Sequence, residues 1–202
     1  MKLYVLASLI VFALVIAHST RRIARKKSSD ELSFWEREKK ANSVRRKSLD
    51  NLDYIKIPLD TLPTDVLSEH PEVKECHDLL KNLAEQPIVN FTGYTNTDLK
   101  LEYGTSNITQ LTEYDQNYTL LVRTLQQWAD VLCNAKLTEE AASVMEFAVS
   151  TGTDISRTYY KLAEIYSARG DDSQIKQLIE KAETLRSSNK NIIVRTLQKS
   201  YP

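Results

Sequence analysis

Between Val122 and Leu185 the chain matches itself at a shift of 34 residues. Trp128 aligns with Leu162, Ala129 with Ala163, Leu132 with Tyr166, Ala141 with Ile175, Met145 with Ile179 and Ala148 with Ala182. Each half carries two apolar stripes at helical spacing. Leu121, Leu125, Trp128, Ala129 and Leu132 mark one helix face, and Ala141, Val144, Met145, Ala148 and Val149 mark the next. Ile155, Tyr159, Leu162, Ala163 and Tyr166 make a third, and Ile175, Leu178, Ile179, Ala182 and Leu185 a fourth. Thr138 is the expected cap of the second helix, with Glu139 and Glu140 complementing its dipole. Gly152 and Gly170 end the second and third helices, and Asp171 or Asp172 caps the fourth. Two helix pairs in tandem predict an all-α fold.

This period and pattern resemble the tetratricopeptide repeat. The second copy, YYKLAEIYSARGDDSQIKQLIEKA, carries Tyr159, Leu162-Ala163, Tyr166, Gly170-Asp171 and Ala182 as the family does. The first, LQQWADVLCNAKLTEEAASVMEFA, keeps the small positions but places Lys136 where the family has glycine. Small residues there let helices approach closely while Trp128 and Tyr166 fill the remaining space. The resemblance sets repeats at about 122–155 and 156–189 in a helical domain over 64–202. A generic antiparallel helical bundle is the plainer alternative. Two repeats bury little surface alone, so a helix over 191–199 should cap one end. One over 65–86, restarted at Pro71 and marked by Val73, Cys76, Leu80 and Leu83, should cap the other. By resemblance, the first helix of each pair lines a partner-binding groove. That face carries Arg123, Gln126, Asp130 and Asn134, then Arg157, Tyr160, Glu164 and Ser167. Its mixed charge departs from the basic clamp that some family members use, and a solvated face is its plainer reading.

The other end of the chain reads differently. Leu3 to Ala17 holds no charge, and Arg21, Arg22, Arg25, Lys26 and Lys27 follow at once. A helix needs roughly 20 residues to cross a bilayer core, which the run reaches only through His18, Ser19 and Thr20. The expectation is a transmembrane anchor over 1–20. The basic flank then puts the N-terminus outside and the C-terminal domain in the cytoplasm, a single-pass protein of the cell membrane. A cleaved signal peptide is the alternative, with small residues near Ala17 and Ser19. Residues 21–63 form a basic juxtamembrane segment and linker. Residues 21–47 hold eleven Lys/Arg against four Asp/Glu, whereas residues 48–202 hold fifteen against twenty-three. An acidic domain behind a basic stretch argues for membrane lipid as one partner and against nucleic acid. Phe34 and Trp35 sit amid charges in 28–48, a candidate interfacial helix or a plain spacer. Arg45-Arg46-Lys47-Ser48 resembles a site for basic-directed kinases, or is a charge run with an incidental serine.

Residues 88–103 alternate Leu99, Leu101 and Tyr103 with polar residues, predicting a small β-hairpin with Gly93 and Asn96 as turn candidates. A helical turn capped at Thr97 and stopped by Gly104 fits the same residues. Asn90, Asn107 and Asn117 each begin an N-x-Thr triplet, which a chain rich in Asn and Thr produces by chance. Cys76 and Cys133 read as two reduced thiols, with a Cys76–Cys133 bridge as the alternative if the chain is exported.

Chemistry-bearing motifs are absent from the sequence. Cys76-His77 with His70 lacks a fourth ligand and finger spacing, and no phosphate loop or nucleophile elbow occurs. The expectation is therefore no enzyme, no cofactor and no metal. The function that fits is a membrane-anchored cytoplasmic scaffold binding a protein or peptide through a TPR-like groove. The alternatives are an exported protein of an envelope complex, or an anchor subunit working through its transmembrane helix.

Overall fold

Left-handed residues at two helix ends set the phase of the repeat. The computed structural model describes Phe12, Ile16, residues 18–20 and residues 31–201. In it, α4 (Ile108–Asn134) turns into α5 (Thr138–Ser150), and α6 (Ser156–Arg169) turns into α7 (Asp172–Glu183). At the first turn Leu137 N–H reaches Leu132 C=O at 3.0 Å and Lys136 N–H reaches Cys133 C=O at 3.0 Å. At the second, Asp171 N–H reaches Tyr166 C=O and Gly170 N–H reaches Ser167 C=O, also at 3.0 Å. These paired bonds satisfy carbonyls that a helix end leaves free. Lys136 at φ +63° and Gly170 at φ +70° occupy equivalent places, 34 residues apart.

Lys136 thus does glycine's task with a side chain attached. A left-handed L-residue costs about 1–2 kcal/mol, while glycine's extra unfolded freedom costs about 0.4–1 kcal/mol. Lys136→Gly is expected to stabilise the protein by about 0.5–1 kcal/mol in chemical denaturation. A loss of stability would mean that the lysine side chain contributes more than its backbone costs.

The described chain divides into two compact units, one holding Asn96–Asn107 with the residues up to Lys47, the other Ser48–Thr95 with Ile108–Pro202. The second unit contains α2 (Pro71–Ala84), α4 to α7 and α8 (Lys190–Ser200). Helix α4 lies against α2 and α5, α5 against α6, and α6 against α7 and α8. Short connections make consecutive helices run antiparallel. One apolar core runs through the unit. Trp128, Tyr159, Leu125, Leu132, Ala163 and Ala182 are fully buried, and Ala129, Met145, Leu162 and Ala148 nearly so. Ile55, Ile57 and Leu59 lie half-buried against it, and Ile55 N–H bonds Ile88 C=O at 2.9 Å. The Asp171 carboxylate caps α7 by accepting from Gln174 N–H. Thr138 does not cap α5. Leu137 holds that place with no side-chain cap, because its N–H is already committed to Leu132 and its side chain packs on the core.

In the first unit, residues 31–42 form α1 and Asn96–Tyr103 form α3, followed by a 3-10 turn over Thr105–Asn107. Polar pairs join them. Arg37 bonds Asp98, and Glu38 receives both Lys100 and the Thr97 hydroxyl. The Lys100 ammonium, then the Thr97 hydroxyl, hold the Glu38 carboxyl below the usual carboxylate range. Asn107, fully buried, donates to the carbonyls of Lys47 and Tyr103, each at 2.8 Å, and accepts from Arg46 at 2.9 Å.

Two expectations are corrected. No β-hairpin forms over 88–103. Among the described residues the only bridge given is the isolated Tyr54–Val89 pair, and residues 96–103 are helical with Gly104 stopping them at φ +88°. The alternation misled because only Leu99 of the three apolar residues is buried, while Leu101 and Tyr103 are half-exposed on a two-turn helix. The second correction concerns the membrane. No helix among the described residues is long and apolar enough to cross one. The transmembrane helix of the expected fold, and the single-pass, N-outside localisation built on it, therefore find no support among the described residues. The uncharged run is fifteen residues long, short of the roughly 20 that a bilayer core needs, and polar residues had to complete it. Most of residues 1–20, and all of Arg21, Arg22, Arg25, Lys26 and Lys27, lie outside the described residues.

Candidate functional site

Helix α4 has two faces. Leu121, Leu125, Trp128 and Leu132 point into the core, which turns Arg123, Gln126, Gln127, Asp130 and Asn134 outward. With Val131, Glu72 at the start of α2 and Ile155 before α6, they line a concave site of about 390 Å³. Four of the eight groove residues expected from the sequence, Arg123, Gln126, Asp130 and Asn134, thus meet in one place.

Arg157 joins them through a bond. Its guanidinium lies 3.2 Å from the Asp130 carboxylate, which also accepts from the Gln126 amide at 3.0 Å. The Thr158 hydroxyl donates in turn to Gln126 at 2.6 Å, so α4 and α6 are linked by a chain of polar contacts. Thr158 is buried and Gln126 half-buried, which shields that link from competing water. The remaining expected residues lie along α6 outside the cavity lining. Glu164 pairs with Lys161 at 2.8 Å, Tyr160 is half-buried against the core, and Ser167 is exposed. Sequence reasoning missed Glu72, Gln127, Val131, Ile155 and Thr158. Gln127 and Val131, beside Gln126 and Asp130 on the same helix, had a local signal. Glu72 arrives through the packing of α2 on α4, which no spacing rule reveals.

The lining offers one cation, two carboxylates, three amides and an aliphatic patch from Val131 and Ile155. Such a set can pair charges and hydrogen-bond a polar backbone while covering a small apolar side chain. Cys133, half-buried on α4, has its thiol pushed up first by burial and then by Asp130, so it is a poor nucleophile there. Cys76 is buried and pushed up to about 11, mainly by burial, and both thiols are free. Among the described residues no group of three or more His, Cys, Asp or Glu is placed to hold a metal ion.

The three N-x-Thr asparagines are committed inside the fold. Asn90 donates to the Tyr118 hydroxyl and the carbonyls of Thr151 and Gly152, Asn117 to Pro87 C=O, and Asn107 as described above. A glycan on any of these nitrogens would displace a hydrogen bond that holds the fold. Comparison of the chain with protein-family models, with curated proteins and with solved structures finds no match.

Proposed function

We propose that this chain is a protein-binding adaptor of the tetratricopeptide-like kind, taking a peptide segment of its partner on the α4–α6 face. The concave site carries the reading. Its 390 Å³ suit one or two side chains of an extended peptide, and its mixture of amides, charges and a small apolar floor suits polypeptide. Support for the repeat comes from the equivalent helix ends at Lys136 and Gly170 and from burial of the aligned pairs Trp128/Leu162, Ala129/Ala163 and Ala148/Ala182. The Thr158–Gln126–Asp130–Arg157 chain adds rigidity, which lowers the ordering cost of binding.

A random peptide library selected against the full chain tests this reading. Asn134→Arg would fill the site, and Arg123→Glu would invert its one lining cation, without removing a core side chain. Selected peptides are expected to bind either variant at least about tenfold more weakly in calorimetry, a loss of roughly 1.4 kcal/mol. Glu180→Arg, on the exposed side of α7, is expected to leave binding unchanged. Equal binding to all three variants would remove the groove from the function.

A further inference from the structure

The basic run before Ser48 lies outside the groove, and the proposed adaptor role does not use it. Residues 44–49 have no helical or strand structure, and Arg45, Arg46, Lys47 and Ser48 are exposed. The Ser48 hydroxyl donates to the Asp50 carboxylate at 2.5 Å and accepts from Asp50 N–H at 3.1 Å. It is therefore held at the surface by a local turn, and no buried partner would be lost on modification. Arg45 and Arg46 stand three and two residues before it, spaced so that a kinase's carboxylates could take both guanidiniums along an extended backbone.

One restraint acts on this presentation. Arg46 Nε donates to Asn107 Oδ1, Asn107 donates to Lys47 C=O, and Lys47 N–H donates to Tyr103 C=O at 3.1 Å. Arg46 and the Lys47 backbone must leave these partners before a kinase can read them.

We infer that Ser48 is a phosphorylation site for a basic-directed protein kinase, restrained by Asn107. Ser48 Oγ attacks the γ-phosphorus of ATP, and the bond to the bridging oxygen breaks with its electron pair leaving on ADP. The hydroxyl proton passes to the kinase's base. The product carries a charge of about −1.5 to −2 at neutral pH beside Asp50. It also loses the hydroxyl proton that Asp50 now accepts, so repulsion opens the 48–50 turn.

The test uses the full chain, Mg-ATP and a purified serine/threonine kinase that selects arginine two and three residues before the acceptor, with sites mapped by mass spectrometry. Phosphate is expected on Ser48 and is lost in Ser48→Ala. Arg45→Ala should slow transfer about tenfold or more, the effect of one charged hydrogen-bonding partner. Asn107→Ala, which removes the bond to Arg46 and both amide donations, should speed it severalfold. Phosphate confined to another serine, incorporation at an undiminished rate in Arg45→Ala, or none in the wild type and Asn107→Ala alike would overturn the site. An Asn107→Ala rate no higher than the wild type's would overturn the restraint. The Ser48 and Arg45 arms leave Asn107 untouched, so they decide the site whatever that variant does to the surrounding unit.

Discussion

Trp128→Ala is expected to lower stability by about 3–5 kcal/mol, the largest single effect in the helical unit. Trp128 is fully buried on α4, and the His77 ring of α2 stands edge-on to it with centroids 4.7 Å apart. Removing the indole leaves a cavity that rigid helices on both sides cannot close. The loss is a large share of the roughly 5–15 kcal/mol that holds a typical domain, so the melting temperature should fall by about 10 °C or more. Trp128→Phe separates the causes. Trp128 Nε1 and His77 Nε2 are buried without a hydrogen-bond partner, so phenylalanine removes an unsatisfied donor while filling much of the space. Its cost should be well below that of alanine. Thermal melts of both variants decide the matter, and a near-neutral Trp128→Ala would mean that α2 and α4 do not pack as described.

Which parts of this fold were legible follows from the range of the forces that form them. Helices α4 to α7 were readable because each buries one stripe, and the stripe shows in a window of a dozen residues. Gly170 and Asp171 were readable as stop and start because capping is local chemistry. Lys136 was harder. Its left-handed backbone is dictated by the turn between two packed helices, and only its alignment with Gly170 in the second copy marks it. Residues 96–103 stayed open between a strand and a helical turn for a related reason, and the helical turn is the one that forms. Their helix is only two turns long, and the polar partners that hold it, Arg37 and Glu38, lie about sixty residues earlier in sequence. Alternation over so few residues cannot distinguish a strand from a helix that buries one leucine.

The site divides along the same line. Arg123, Gln126, Asp130 and Asn134 share a stripe of one helix, and once the core stripe was known the opposite stripe followed. Arg157 reached Asp130 because the 34-residue shift brings the next pair's first helix alongside. Glu72 and Ile155 belong to the lining only through tertiary packing, which has no local signature. At the N-terminus composition was a weaker guide. An uncharged run shorter than a bilayer core, completed by His18, Ser19 and Thr20, was asked to support an anchor and an orientation together.

Gly104→Ala is expected to disrupt the smaller unit far more than its size suggests. A Cβ at this position would lie 2.3 Å from the Arg45 carbonyl oxygen, 2.7 Å from its carbon and 3.0 Å from Arg46 Cα. All three are backbone atoms, so no rotamer change relieves the clash. Moreover, φ is +88°, a region that costs an L-residue about 1–2 kcal/mol. With overpacking of about 1–3 kcal/mol, the total comes to about 2–5 kcal/mol. Gly170→Ala supplies the control, because its φ is +70° but nothing lies within 4 Å of the added carbon. It should cost only the backbone term, about 1–2 kcal/mol. Hydrogen exchange should localise the first effect, with amides of α1 and α3 losing protection while the buried stretches of α4 to α6 keep theirs. The neighbouring Asn107 bonds to Lys47 and Tyr103 should fail with them, since the 45–47 segment can no longer lie against Gly104. If Gly104→Ala costs no more than Gly170→Ala, the close approach of Arg45 to Gly104 is not what holds this unit together.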